Sequence, residues 1–399
     1  MMICSIEVLI DSHRGRGHSL KKERMMKANI AKIQQMDDLD AVRGIGILMV
    51  FFFHASAFFK YDIWFLPPFL KSFITAGHSG VTMLFVLSAF LLTQPYIKSF
   101  GTGVVPSWEK FYMRRILRIL PLYLLMVAVS ALFLKNYKTS MLALNIVWGV
   151  GGNALYPFSN VWWAVYTEIQ FYILLPIIGY FLVYKKKIVL AFCFILYLVL
   201  YFCLIFYHLN IHSIPLFWRT LHSFLGRGTA FIIGGGAAWI FLHHGDFIKS
   251  QFLKNPVVVK ASDAILVFIF LLVNVLLLIA TEVTYPKMEA HYHYWHIIEA
   301  ILWSGVIMGL LLLPLKFKKW VANPFFRQIG KISYSIYLLH YPFLVYGNMA
   351  IRKLNDAMQM PVPPKGVLIL IVFIACIGAS ALTYRFIEKP FLEKKSYFY

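Results

Sequence analysis

Charge is scarce in this chain: 14% of its 399 residues are Asp, Glu, Lys or Arg, against 60% that are hydrophobic. That balance argues against a water-soluble globule, and a membrane protein is the first reading. Acidic residues are scarcer still, 17 against 38 Lys and Arg, for a formal net charge of +21. In a soluble protein this excess would point to nucleic acid, but here the basic residues fall between apolar runs, so no nucleic-acid partner is expected. Cysteine supplies no framework. Cys4, Cys193, Cys203 and Cys376 are scattered without a C-x-x-C pair. No internal repeat or low-complexity segment stands out. A secretory signal is not expected either, because the apolar MMICSIEVLI precedes the basic residues instead of following them.

What the chain has is long apolar runs. Windows of about 17 to 25 residues give ten candidate spans. They lie near 44–60, 73–97, 115–134, 161–184, 188–208, 222–243, 262–280, 297–315, 329–349 and 366–386. Roughly three quarters of the 38 basic residues fall on the loops of one side, which places both termini in the cytoplasm. The expected fold is all-α and polytopic, with about ten membrane helices. Residues 1–36 read as a basic cytoplasmic tail, 37–395 as the membrane-embedded domain, and the Gly-rich 141–155 as an outer-face segment too short to span.

The first span, LDAVRGIGILMVFFFHA, carries Arg43 and His54. Eleven positions at about 100° each come to three turns plus roughly 20°, so both side chains share a face, about 16 Å apart along the axis. Arg43 is thus expected at the cytoplasmic surface and His54 somewhat past mid-bilayer, where an ionisable group is a functional candidate by default. Counting depth from helix ends puts Glu168 in the fourth span and His340 in the ninth at a similar level. A carboxylate beside His54 would hold the imidazole in one tautomer and make it a better base for acyl transfer to a hydroxyl; the alternative is a buried pair that locks two helices together. In FYMRRILRILPLY, Arg115 and Arg118 share a face at a helix N-terminus, which suits an anion such as phosphate or, more plainly, anchors the helix at the interface. Arg227 near the outer end of the sixth span is expected to anchor there, with contact to an anionic acceptor as the alternative. EAHYHYWHIIE groups His291, His293 and His296, but the spacing matches no ligand pattern, so interfacial packing is expected and no metal.

Taken in order, the R-x10-H pair, LFVLSAFLLT, RRILRILPLY, WWAVYTEIQFYILLP, IGKISYSIYLLHYP and YRFIEKPF resemble the integral-membrane acyltransferase 3 family, over about Leu39 to Phe391. The family O-acylates surface carbohydrates and related acceptors. The resemblance implies a ten-helix fold, an acyl-CoA donor reaching the site from the cytoplasm, no bound cofactor, and a carbohydrate or glycolipid acceptor often presented on the far side. It carries catalysis to His54, with Glu168 at the family's fourth-helix glutamate, and donor binding to Arg43, Arg115 and Arg118. His340, Ser88, Trp163 and Arg227 are further candidate substrate contacts. Ala89 stands where the family commonly has Gly, and Thr167-Glu168-Ile169 replaces a more usual Ser/Val-Glu-Glu. The esterase-like domain that follows the last helix in many relatives is expected to be missing. The bacterial cytoplasmic membrane is the expected location, and a multi-pass transporter or glycolipid flippase is the alternative from another class.

Overall fold

The computed structural model describes residues 35–60, 66–135, 137–145, 158–211, 222–282, 285–359, 361 and 363–394. The 1–36 tail and the 141–155 segment therefore lie largely outside the described residues. Among those described, every regular element is helical, and eight helices are long and apolar enough to cross a membrane. The chain is an all-α polytopic membrane protein. The first helix, α1, is Gln35–Phe59. It is followed by α2 (Pro68–Thr75), α3 (Ser79–Leu92), α4 (Gln94–Lys98), α5 (Trp108–Leu134), α6 (Tyr137–Leu142), α7 (Trp163–Val183) and α8 (Lys187–Ile211). Then come α9 (Phe224–Lys254), α10 (Pro256–Glu282), α11 (Tyr285–Leu312), α12 (Lys318–Val321), α13 (Pro324–Lys331) and α14 (Ser333–Pro342). A π turn at Phe343–Gly347 leads into α15 (Asn348–Ala357), and a second at Tyr384–Glu388 joins α16 (Lys365–Thr383) to α17 (Lys389–Lys394).

Local chemistry sets the helix ends that matter for the site. Ser107 caps α5 by accepting from the Lys110 N–H at 3.2 Å, with Glu109 in the first turn where the helix dipole favours negative charge. Asn323 caps α13 in the same way, accepting from Phe326 N–H at 3.0 Å, and Pro324 occupies the first helical position. Pro121 in α5 and Pro176 in α7 are carried inside membrane helices, where neighbouring helices can re-satisfy the freed carbonyls.

Three packing features place the site. α13 crosses α1 backbone to backbone at Gly44 and Gly330: a Cβ on Gly44 would overlap the Phe326 carbonyl, and one on Gly330 the Asp40 carbonyl. Ion pairs hold the same crossing, Lys318 to Asp38 at 2.7 Å and Arg327 to Asp37 at 2.9 Å. α3 lies buried in the middle of the bundle, packed on α9 and α11 and beside α1, so its Ser88 and Thr82 face polar partners from other helices.

Candidate active site

A cavity of about 640 Å³ opens between α1, α3, α5, α7 and α14. Arg43, Arg115 and Arg118 line it, with Lys98, Lys110 and Arg114 toward the start of α5. Arg115 and Arg118 stand one turn apart on α5, and Arg43 meets them from α1 while also pairing with Asp40 one turn below it. The Arg115 guanidinium lies 5.7 Å from the Tyr172 ring centroid, a cation–π contact that fixes its approach. Glu168 projects into the same cavity and accepts a hydrogen bond from Ser88 Oγ at 2.6 Å. Three guanidinium groups around one carboxylate, in a partly buried chamber, form a strongly anion-attracting surface.

The boundary of this cavity away from the arginines is formed by Ala164, Val165 and Tyr337. Tyr337 donates from its hydroxyl to the Val161 carbonyl, and its ring centroid stands 5.8 Å from that of His340. Beyond it the His340 and His54 rings lie 5.1 Å apart. Each is anchored through Nδ1 to a carbonyl of its own helix, His54 to Val50 at 2.9 Å and His340 to Tyr337 at 2.8 Å. A carbonyl can only accept, so Nδ1 of each carries a proton, and in the neutral ring Nε2 keeps its lone pair. In that form the two imidazoles present basic, nucleophilic nitrogens in one small region, His340 fully buried and His54 partly so.

The structure therefore divides the expected site residues into two layers. Arg43, Arg115, Arg118, Glu168 and Ser88 meet in the cavity, while His54 and His340 meet beyond Tyr337. The expected His54–Glu168 partnership is not among the bonds: Glu168 bonds to Ser88 and His54 to Val50. That expectation sets the outer surface at Val161. Instead the Val161 carbonyl is bound by Tyr337, and Trp162 Nε1 donates to the Leu338 carbonyl at 3.4 Å. α7 thus starts level with the middle of α14, and Glu168, about 10 Å further along, reaches the arginines. Arg227 is corrected too. It is 3% exposed, its Nη1 sits 2.6 Å from His296 Nδ1, and its guanidinium lies 5.1 Å from the Trp163 ring, so it is not an anchor at the membrane interface. Trp163 lies outside the cavity lining and stacks on His222 at 4.1 Å.

Sequence reasoning also missed several residues. Tyr172 stands one turn from Glu168 on the cavity wall, a spacing that could have been read. Tyr337, four residues after the first Ser of SYSIYLLHYP, lines the cavity. His296 is buried beside Glu299 at i,i+3 rather than exposed at an interface, with Nδ1 to Oε2 at 3.1 Å. The side chains of His291 and His293 lie outside the described residues.

Comparison with known proteins identifies the family but not the site geometry. No solved structure matches the chain. "Putative O-acetyltransferase SAS0844" of Staphylococcus aureus (strain MSSA476) is 25% identical over 399 residues, covering 91% of this chain and 58% of that protein. "O-acetyltransferase OatA" of Staphylococcus aureus (strain NCTC 8325 / PS 47) is 23% identical over 384 residues, covering 89% of this chain and 57% of that protein. The chain thus spans a little over half the length of these relatives. A family model described as an acyltransferase domain matches residues 36–385, well over half of the chain and including both layers of polar residues; on that ground the chain belongs to the acyltransferase 3 family.

Proposed function

We propose that this chain is an O-acyltransferase of the bacterial cytoplasmic membrane, with both termini inside and ten helices crossing. It moves an acyl group, acetyl in the first instance, from cytoplasmic acyl-CoA to a hydroxyl of a carbohydrate or lipid-linked glycan of the cell envelope. The observation that carries this reading is the arginine-lined cavity ending one tyrosine short of a pair of basic imidazoles. Planar guanidinium forks suit phosphate oxygens, so Arg43, Arg115 and Arg118 take the phosphates of the donor. The pantetheine arm then runs along α1, where Arg43 and His54 are about 16 Å apart. Passage of the thioester to His54 requires Tyr337 to swing aside. The names of the relatives supply the acetyl group and the oxygen acceptor.

Chemically, His54 Nε2 accepts the proton of the acceptor hydroxyl while the oxygen bonds to the thioester carbonyl carbon. The C–S bond breaks, and the departing thiolate takes the proton from the imidazolium. In the other form of the reaction Nε2 itself bonds to the carbonyl carbon, the thiolate leaves, and the acceptor oxygen then displaces the imidazole while its proton passes to the thiolate. Trapping labelled acyl on the protein without acceptor distinguishes the two. Mass spectrometry of surface glycans from cells with and without the protein tests the reading: an acyl mass increment that depends on the protein is expected. Unchanged glycans, with a solute or glycolipid moved instead, would assign the chain to transport.

A further inference from the structure

Away from the cavity, charged and titratable side chains from three helices meet in a second buried cluster. Arg227 of α9 and Glu299 of α11 both approach His296 Nδ1, at 2.6 Å and 3.1 Å. That nitrogen can accept from the arginine or donate to the carboxylate, one at a time. Glu299 Oε2 also accepts from Thr82 Oγ1 of α3 at 2.9 Å, and Oε1 lies 4.0 Å from His78 Nε2. Arg227 is 3% exposed and His296, Glu299 and Thr82 1% each. Such groups are costly inside a bilayer and are retained there when they serve a site.

The cluster adjoins the histidine pair. The Phe53 ring meets His78 edge-on at 5.4 Å and His54, its chain neighbour, at 4.9 Å. Gly77 allows this approach, since a Cβ there would overlap the Met49 carbonyl of α1. Of the three buried carboxylates among the described residues, Asp38 pairs with Lys318 and Glu388 accepts from Ser335, both elsewhere; Glu299 is the one that connects to His54, through His78 and Phe53.

Resting on the function proposed above, we infer that Glu299 is a positioning residue: its carboxylate offsets the Arg227 cation, so that His54 can become an imidazolium during transfer. Without it the arginine charge opposes proton uptake. One unit charge across about 10 Å at an interior effective dielectric of about 20 changes a rate by on the order of tenfold.

The test measures kcat and the KM for acetyl-CoA per folded protein, quantified by size-exclusion chromatography. Glu299→Gln should lower kcat about tenfold at unchanged KM, and Glu299→Asp should recover most of it. Adding Arg227→Met to Glu299→Gln should raise kcat above that of Glu299→Gln alone, because neutrality returns. A double variant worse than the single, or Glu299→Gln with wild-type kcat, overturns the inference while the function stands. Should Glu299→Gln not fold, Thr82→Val removes one hydrogen bond from the same carboxylate and should lower kcat by a smaller factor; unchanged kcat overturns the inference equally. No transfer by the wild-type protein would overturn the function and this inference together.

Discussion

Three guanidinium groups around one carboxylate leave the cavity with surplus positive charge, and a polyphosphate donor would neutralise it. Replacing Arg115 and Arg118 together by Ala should raise the KM for acyl-CoA about tenfold or more with little change in kcat, since the lost contacts act on binding. An unchanged donor KM would remove the docking role. Glu168→Gln should likewise act on the donor KM, because Glu168 bonds to Ser88 among the arginines and not to His54. A pure loss of kcat would restore the histidine partnership that the structure argues against. Arg115 and Arg118 were legible in the sequence because their i,i+3 spacing puts them on one face, while Arg43 shared a face with His54 and joined them only through the family resemblance. Glu168 was legible as a carboxylate within a span but misplaced, because its depth depends on where α7 begins. Tertiary bonds of Val161 and Trp162 to α14 set that start. The Glu299 cluster was not legible as one, although Arg227 and His296 were each singled out, since Thr82 and Glu299 stand 217 positions apart and meet only through packing.

At the scale of elements, the crossing of α1 and α13 is the joint on which the cavity is built. It carries Arg43 one residue from Gly44, and the two helices touch through backbone atoms. Gly330→Leu should force them apart and cost about 1–3 kcal/mol, read as a lower melting temperature in detergent, with the donor KM rising as Arg43 shifts. Gly378→Ala, where a Cβ meets nothing within 4 Å, is the control and should leave stability equal or slightly higher. Equal melting temperatures for both variants would contradict the assigned close approach. Most helices were legible from apolar length alone; α5 was expected from 115 and begins at Trp108, because the Ser107 cap adds two polar turns that hydropathy does not report. The ninth expected span, 329–349, instead distributes over α13, α14 and a π turn before continuing into α15. Composition does not report such breaks. They follow from Pro342 and from the packing of α14 on α16.

For the whole molecule, the distribution of basic residues argues for an orientation that can be checked directly. In a background lacking the four native cysteines, Glu109→Cys should react with a membrane-impermeant maleimide only after permeabilisation. Lys365→Cys should react in intact cells. The reverse pattern would invert the topology and put the arginine cavity on the side without acyl-CoA. The central claim is that acyl-CoA bound at the cavity arginines delivers its acyl group by way of His54. The direct measurement incubates membranes carrying the wild-type protein or His54→Ala with labelled acetyl-CoA and scores label in envelope glycan. The account predicts label with wild type and a loss of at least about a hundredfold with His54→Ala, while the variant still folds and binds CoA. Label transferred by His54→Ala at the wild-type rate would contradict it.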